Sequence, residues 1–136
     1  MILHTPEELL PLARSLLERL PEGSLLLLDG PLGSGKTSLV QALAEALGSD
    51  AAVSSPTYTL IHEYPTPEGT LVHIDAWRLP EAEQLVATGL DEYLDHARLV
   101  AVEWGGGLRR LYPEAMLLTL KVNSDGSRTV SLDGPG

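Results

Sequence analysis

The sequence predicts an α/β fold in which a mixed, mainly parallel central sheet is flanked by helices and carries antiparallel additions. Two observations carry this prediction. Short apolar runs that are typical of buried strands alternate with segments whose leucines recur at helical spacing. One of these runs leads through a glycine-rich turn directly into a helical segment, which is the order expected of parallel strands. At 136 residues the chain has the size of one domain, so we expect residues 1–136 to form a single unit.

The first helix is predicted to begin at Thr5. Thr5 is a natural N-cap, Pro6 suits the first helical position, and Glu8 completes a capping box. The leucines that follow keep helical spacing as far as Leu20, after which residues 21–23, Pro-Glu-Gly, end the helix.

The remaining elements alternate strands with helices. The apolar run 24–29 is the first strong strand, and a helix over 37–47 is predicted to end at Gly48. Strands over 60–64 and 70–74 are joined by a short turn, so they are expected to pair antiparallel. Further along, the pattern predicts helices over 80–88 and 90–97, a strand over 99–102 that is buried on both faces, and a hairpin of strands 116–122 and 129–132.

Residues 30–37 read Gly-Pro-Leu-Gly-Ser-Gly-Lys-Thr and follow the strand 24–29 directly. This is the Gly-x-x-x-x-Gly-Lys-Thr pattern of a phosphate-binding P-loop, in its usual place between a strand and a helix. Glycines let backbone N–H groups turn toward phosphate oxygens, Lys36 can reach the β- and γ-phosphates, and the Thr37 hydroxyl can bind Mg²⁺. The pattern therefore predicts a single-domain P-loop NTPase rather than a plain glycine turn with a stray lysine.

Two acidic residues follow apolar strands at the edge of the sheet where such a ligand lies. Asp75 comes after the run 71–74, and Glu103 comes after the run 99–102. A nucleotide hydrolase needs a carboxylate near Mg²⁺, usually at the end of a strand of this kind. One acid is expected at Mg²⁺ and the other at the attacking water, and the residues alone leave the assignment open. Taken alone, an acid at a strand end is more often a helix cap or a solvated turn residue, and the P-loop favours the catalytic interpretation for at least one of the two.

Three further residues have a functional and a structural interpretation. Thr57 lies with Thr59 in a polar loop where many P-loop proteins carry a switch segment that senses the γ-phosphate, and an ordinary strand-entry loop is the alternative. Trp104 lies beside three glycines, where it can either cover the site or fill the core. His73 alternates with apolar neighbours on a strand and is interpreted as a structural histidine.

The net charge of −10 and the pI near 4.6 argue against direct nucleic-acid binding, because phosphate backbones need clustered Lys and Arg. The pair Arg109-Arg110 is interpreted as solvated surface. The absence of cysteine excludes disulfides and thiolate metal sites and is compatible with the cytosol. The N-terminus lacks a signal-peptide pattern and no apolar run is long enough for a membrane span. We therefore expect a cytoplasmic protein that binds neither membrane nor DNA.

Motifs of other P-loop classes are missing from the chain. There is no Asn-Lys-x-Asp, which favours adenine over guanine as the base, and no Leu-Ser-Gly-Gly signature of transporter ATPases. Small-molecule kinases of this fold usually start with the P-loop strand, whereas here a helix precedes it. A kinase remains the second hypothesis, with Arg109-Arg110 as the candidate for its arginine-bearing lid. A nucleotide-dependent binding module without turnover is the third.

Five segments share their order and spacing with one protein family across residues 5 to about 128. They are Gly30–Ser38, Ser55–Leu60, His73–Leu79, Glu83 to Leu90, and Val102–Trp104. In this combination they resemble the TsaE family, small bacterial P-loop ATPases needed for the threonylcarbamoyladenosine modification of tRNA. The family usually has Leu-Tyr-Arg after His-x-Asp, where this chain has Ala76-Trp77-Arg78, a mild departure that keeps an aromatic residue and the arginine.

The resemblance implies an ATPase that binds ATP with Mg²⁺ and holds ADP after hydrolysis. It implies Asp75 and Glu103 in catalysis, and Thr37 and Glu103 at Mg²⁺. The residues expected to bind the nucleotide are Thr5, Gly33, Ser34, Gly35, Lys36, Thr37, Ser38, Thr57, Trp104 and Arg128, of which Thr5 and Arg128 match the adenine side. The resemblance also implies the partners TsaB and TsaD, the second of which transfers the threonylcarbamoyl group. With a charge of −10, the chain is expected to reach tRNA only through this complex.

Overall fold

One seven-stranded sheet forms the centre of the structure, a computed structural model that describes residues 1–31, 33–49, 61–75, 89–104 and 106–134. In chain order its strands are β1 (Ile2–Leu3), β2 (Ser24–Asp29), β3 (Ile61–Thr66), β4 (Gly69–Asp75), β5 (Leu99–Glu103), β6 (Met116–Val122) and β7 (Arg128–Asp133). Their order across the sheet is β1-β7-β6-β2-β5-β4-β3.

Helices cover both faces of this sheet. In the described residues the α-helices are α1 (Leu9–Arg19), α2 (Lys36–Ala46) and α3 (Leu90–His96), and 3-10 helices span Pro6–Glu8 and Gly106–Arg110. α1 and α2 pack together on one face, while α3 and the second 3-10 helix pack on the other. None of the helices in these ranges is long and apolar enough to cross a membrane.

The middle of the sheet is parallel and its two sides are antiparallel. β2 pairs in parallel with β5 and β6, and β5 pairs in parallel with β4. β3 is antiparallel to β4, β7 to β6, and β1 to β7. The predicted α/β fold, with a parallel centre and antiparallel additions, is thereby confirmed.

Burial on both faces explains why the central strands read as continuous apolar runs. Residues 99–102 of β5 are buried, as predicted, and Glu103, which ends the strand, is buried as well. The four leucines 25–28 of β2 are also buried. Leu26 and Leu28 pack toward α1 and α2, whereas Leu25 and Leu27 pack toward α3 and the second 3-10 helix. The two hydrophobic clusters pack against the central strands from both faces of the sheet. This packing holds in place the strand ends, which carry the polar residues described below.

The strand register brings the ends of three parallel strands together. Leu28 of β2 and Asp75 of β4 both lie beside Glu103 of β5. Two residues earlier along each strand, Leu26 and His73 flank Ala101 in the same way. Because side chains two residues apart project from the same face of a strand, His73 and Asp75 share the face of β4 that lies toward α2. These strands therefore end under the P-loop.

The start of the first helix differs from the prediction. Residues 6–8 form a 3-10 turn, α1 begins only at Leu9, and the side chain of Thr5 makes no capping hydrogen bond. The Glu8 carboxylate accepts a hydrogen bond from the N–H of His4 at 3.2 Å instead of from Thr5, so the predicted capping box is wrong. The tighter turn accounts for this, because the Glu8 N–H already donates to the Thr5 carbonyl three residues earlier, at 3.2 Å.

The other predictions of local structure fare unevenly. The hairpin between β6 and β7 is confirmed, with the N–H of Gly126 donating to the carbonyl of Asn123 at 3.0 Å. The sequence analysis does not predict β1, whose two residues are strand only through their pairing with β7. Most other bounds agree within one or two residues. The predicted helix 80–88 and the loop that contains Thr57 and Thr59 lie outside the described residues.

Candidate functional site

The P-loop turns from β2 into α2 through left-handed backbone at its glycines. Gly33 and Gly35 have φ of +77° and +109°, a conformation that glycine adopts without steric cost. A Cβ added at either position meets no atom within 4 Å, so open space lies beside both residues. At Gly30 an added Cβ would instead lie 2.7 Å from the carbonyl oxygen of Leu120. Glycine is thus needed for backbone conformation at 33 and 35 and also for close packing at 30.

Hydrogen-bond donors around this loop include groups that have no partner in the part of the chain that the structure describes. Gly35 is the N-cap of α2, and no side chain caps the helix. The first N–H groups of a helix lack partners within the helix and form the positive end of its dipole. The hydroxyl of Ser34, a residue only 1% exposed, also has no hydrogen-bond partner among the described residues. Unpaired donors beside open space fit an anionic group such as a phosphate.

Lys36, the first residue of α2, directs its ammonium group back into the loop. Its Nζ donates to the carbonyl of Gly30 and, at 3.1 Å, to the carbonyl of Pro31. Nζ also lies 3.8 Å from the centroid of the Trp104 ring, which is within the range of a cation–π contact. Carbonyl oxygens and an aromatic face thus take the place of water around a buried cation.

Three carboxylates act on the charge of Lys36. Burial lowers the pKa of Lys36, and the negative charges of Glu103, Asp29 and Asp75 oppose that shift. Asp29 ends β2, Asp75 ends β4 and Glu103 ends β5. The ends of three neighbouring strands therefore supply the negative charge that surrounds the P-loop lysine.

The carboxylate of Glu103 joins the first turn of α2 to the sheet. The residue is 4% exposed, and its Oε2 accepts hydrogen bonds from the Thr37 hydroxyl at 3.1 Å and from Nε2 of His73 at 2.5 Å. Thr37 and Glu103 are the two residues predicted at Mg²⁺, and they are in direct contact. A hydroxyl and a carboxylate are oxygen ligands of the kind that Mg²⁺ prefers.

The donor set agrees with the way Mg²⁺ is usually held in nucleotide sites. Mg²⁺ is commonly bound through one or two protein side chains, with water and substrate phosphates completing its shell. Among the described residues no group of three or more His, Cys, Asp or Glu side chains is arranged to hold a metal by itself. Thr37 and Glu103 beside an open phosphate-binding loop fit this mode, whereas a dedicated protein cage would need more ligands.

Asp75 lies next to Glu103 at the ends of two paired strands. The two residues are direct neighbours in the register of β4 and β5, and Asp75 is half-buried. Glu103 contacts Thr37, while Asp75 stands one strand farther from β2. Glu103 therefore contacts the first turn of α2, and Asp75 lies beside Glu103 on the next strand.

Trp104 has an unusual backbone conformation that serves its position. Its φ is +65°, in the left-handed region that bulky residues rarely adopt, and its N–H donates to the Leu28 carbonyl at 2.9 Å. The ring packs against the hydrophobic cluster under α3 and also faces Lys36. The same side chain therefore packs against the core and faces the P-loop lysine.

A cleft of about 150 Å³ opens beside the P-loop, between the start of the chain and the β6–β7 hairpin. The polar residues that line it include Thr5, Ser34, Ser38 and Arg128, and Leu9 adds an apolar wall. Thr5 and Arg128, which match the adenine side in the resemblance, thus lie in one cleft that adjoins the phosphate loop.

Arg128 fastens the hairpin to the P-loop. Its Nε donates to the Ser34 carbonyl at 3.1 Å and its Nη2 to the Gly33 carbonyl at 3.3 Å, while Nη1 donates to the Gly126 carbonyl at 2.7 Å. The guanidinium therefore supports the loop backbone as well as lining the cleft. Sequence reasoning placed Arg128 near the ligand but did not predict this support.

The structure brings most of the predicted site residues together. Lys36, Thr37, Asp75, Glu103 and Trp104 converge at the ends of β4 and β5, and only Thr57 lies outside the described residues. Sequence reasoning missed the contact between His73 and Glu103. The two-residue spacing of His73 and Asp75 could have indicated that His73 belongs to the site, because it puts both side chains on the face of β4 that meets the P-loop.

Comparison with known proteins gives a consistent result. The profile of the family described as "Threonylcarbamoyl adenosine biosynthesis protein TsaE" matches residues 3–130. The chain is 34% identical over 134 residues to the tRNA threonylcarbamoyladenosine biosynthesis protein TsaE of Aquifex aeolicus, covering 97% of this chain and 93% of that protein. It is 35% identical to the Bacillus subtilis protein of the same name, covering 96% of this chain and 82% of the other.

A solved structure extends this likeness to the fold. The crystal structure of YdiB from Bacillus subtilis superposes with a TM-score of 0.78 at 28% identity, covering 100% of this chain and 84% of that one. The region matched by the family profile contains the P-loop, both strand-end acids and Arg128. The chain therefore belongs to the TsaE family and takes part in tRNA threonylcarbamoyladenosine biosynthesis.

Proposed function

We propose that this protein is the ATP-binding and ATP-hydrolysing subunit of the system that makes threonylcarbamoyladenosine in tRNA. The observation that carries the proposal is the contact of Thr37 with Glu103 beside Asp75, at the mouth of a loop that holds Lys36. Family membership gives the pathway, and the site supports the proposed reaction class, which is phosphoryl transfer from ATP to water.

In this proposal the P-loop residues bind and orient the triphosphate. The unpaired N–H groups at the start of α2 bind phosphate oxygens, and Lys36 exchanges its contacts with the carbonyls of Gly30 and Pro31 for the β- and γ-phosphates. Trp104 keeps water away from the ammonium group, since its ring already faces Nζ at 3.8 Å. The cleft with Thr5 and Arg128 receives the adenine side of the nucleotide.

The two carboxylates have different roles in the proposed reaction. Thr37 and Glu103 hold Mg²⁺, which neutralises the charge that develops on the phosphates during transfer. Asp75 orients the attacking water and accepts its proton, because it ends the strand next to β5 and is the direct register neighbour of Glu103.

The proposed partners are TsaB and TsaD, with TsaD as the transferase. The net charge of −10 supports protein-mediated rather than direct contact with tRNA, because a phosphate backbone would be repelled by most of this surface. The cytoplasm is the proposed location, since tRNA modification of this kind needs both ATP and tRNA.

Two variants and a control test the proposal. Lys36→Ala is expected to weaken ATP binding, and Asp75→Asn is expected to keep binding but to lower hydrolysis about 100-fold or more, the usual worth of a general base. Asp95→Asn, an exposed acid of α3, serves as the matched control and is expected to behave as the wild type. Calorimetry measures binding, and phosphate release measures hydrolysis, each with and without TsaB and TsaD.

The same assay separates ATP hydrolysis from the alternative, a small-molecule kinase. A kinase would transfer phosphate to a nucleoside or sugar, whereas the proposal expects free phosphate. The lid candidate does not favour a kinase, because Arg109 is paired with Asp133 at 2.6 Å and donates to the Gly134 carbonyl at 3.1 Å. Hydrolysis at the wild-type rate by Asp75→Asn, or stoichiometric transfer to an acceptor, would contradict the proposal.

A further inference from the structure

We propose that His73 is a positioning residue that fixes the carboxylate of Glu103 against Thr37 and thereby sets the affinity of the site for Mg²⁺. The inference rests on the proposed function, in which Thr37 and Glu103 hold the metal. His73 is a buried residue, and its alternation with apolar neighbours on the strand predicts only a structural role.

The position of His73 in the sheet leads its ring to Glu103. His73 is fully buried on β4, where it lies beside Ala101 of β5, and Glu103 is two residues farther along β5 on the same face. The small side chain of Ala101 leaves room for the ring to cross to the next strand. Nε2 of His73 reaches Oε2 of Glu103 at 2.5 Å.

The hydrogen bond has a definite direction. A carboxylate oxygen can only accept a hydrogen bond, so Nε2 of His73 is protonated and donates a hydrogen bond to Oε2 of Glu103. The same oxygen accepts from the Thr37 hydroxyl at 3.1 Å, while Oε1 lies 3.4 Å from that hydroxyl. His73 and Thr37 thus hold the carboxylate from two sides, which limits rotation about the bonds of a long side chain.

The other ring nitrogen argues against a purely structural role. Nδ1 of His73 is buried and has no hydrogen-bond partner among the described residues. A buried polar atom without a partner disfavours folding, and an apolar side chain of similar size would fill the same space without that cost. The ring is therefore best explained by the contact that its other nitrogen makes with Glu103.

Residues that hydrogen-bond to a metal ligand commonly orient it and tune its affinity. For His73 this predicts a specific effect on the metal and little effect on nucleotide binding without metal. Glutamine can place its amide N–H near the position of Nε2, whereas asparagine is too short and reaches only the region of Nδ1. His73→Gln and His73→Asn therefore form a matched pair of neutral amides that differ in whether they can contact Glu103.

The experiment measures binding of a non-hydrolysable ATP analogue by calorimetry over a series of Mg²⁺ concentrations and in EDTA. His73→Asn is expected to raise the Mg²⁺ concentration for half-maximal effect about tenfold or more, and His73→Gln is expected to stay close to the wild type. In EDTA all three proteins are expected to bind the analogue equally. Urea unfolding of each protein shows whether a change in binding follows from lost stability.

The proposal is overturned if His73→Asn keeps the wild-type Mg²⁺ requirement, if both amides behave alike, or if binding in EDTA falls as much as binding in Mg²⁺. If His73→Asn does not fold, His73→Leu takes its place as the variant without a donor. Failure of both to fold would assign His73 to the core and overturn the proposal. A wild-type protein that binds the analogue equally with and without Mg²⁺ would instead refute the metal site of the proposed function, and this inference with it.

Discussion

Replacing Gly30 by alanine tests how tightly the P-loop is packed on the sheet. The φ of Gly30 is +148°, and its missing Cβ would lie 2.7 Å from the carbonyl oxygen of Leu120 and 2.8 Å from the hydroxyl of Ser34. Ser34 can rotate away, but Leu120 is in the middle of β6 and is paired with Val130 of β7. The clash is therefore relieved only by moving the loop or breaking part of the β6–β7 ladder.

The expected loss of stability has two parts. Backbone strain at such a φ costs a residue with a Cβ about 1–3 kcal/mol, and an overpacked methyl group against rigid backbone adds about 1–3 kcal/mol. Gly30→Ala is thus expected to lower the unfolding free energy by about 2–6 kcal/mol. Gly33→Ala is the control, because its Cβ meets no atom within 4 Å, and only a strain of about 1–2 kcal/mol is expected there.

Urea unfolding with linear extrapolation measures both variants against the wild type. A common slope with a lower midpoint for Gly30→Ala identifies a loss of stability rather than a change in the unfolded state. The reasoning is refuted if Gly30→Ala loses no more stability than Gly33→Ala.

Two further predictions concern the charged residues of the loop. Burial lowers the pKa of Lys36, so the unfolded chain keeps this proton to a higher pH than the folded protein does. The unfolding free energy of the wild type therefore increases with pH as Lys36 loses its proton in the folded protein. Lys36→Met lacks this proton, so its unfolding free energy is expected to exceed that of the wild type by the largest amount near neutral pH. Urea titrations should show this difference shrink as the pH approaches 10.5, the ordinary lysine pKa. Arg128→Leu removes the donors to the carbonyls of Gly33 and Ser34 and is expected to weaken ATP binding about tenfold, as measured by calorimetry; unchanged affinity would show that the P-loop keeps its shape without Arg128.

Features encoded in neighbouring residues could be predicted from the sequence. The strands β2 and β5 are buried on both faces, which requires the continuous apolar runs that identified them. The P-loop is likewise a contiguous segment, and the positions of Asp75 and Glu103 follow from where their strands end. That these two acids lie side by side depends on the pairing of β4 with β5, which the order of the strands along the chain does not specify.

Other parts of the site depend on contacts between distant residues. Arg128 and Ser34 are 94 positions apart, and no local pattern indicates that a guanidinium would reach the P-loop backbone. The left-handed φ of Trp104 is unfavourable for a tryptophan and is held by surroundings that include the hydrogen bond to Leu28. The capping box failed for a related reason, because a 3-10 turn competes closely with the first turn of an α-helix.

The antiparallel pairing of β1 with β7 has a consequence for synthesis of the chain. The N–H of Val130 donates to the carbonyl of Met1 at 2.8 Å. One wall of the cleft comes from residues 3–9 and another from β6, the hairpin turn and Arg128. On the ribosome the P-loop emerges early, but Arg128 and β7 emerge only when almost every described residue has been made. A ligand that needs this cleft cannot stabilise a chain that stops short of β7, so its binding marks a chain in which β7 has been made and has folded.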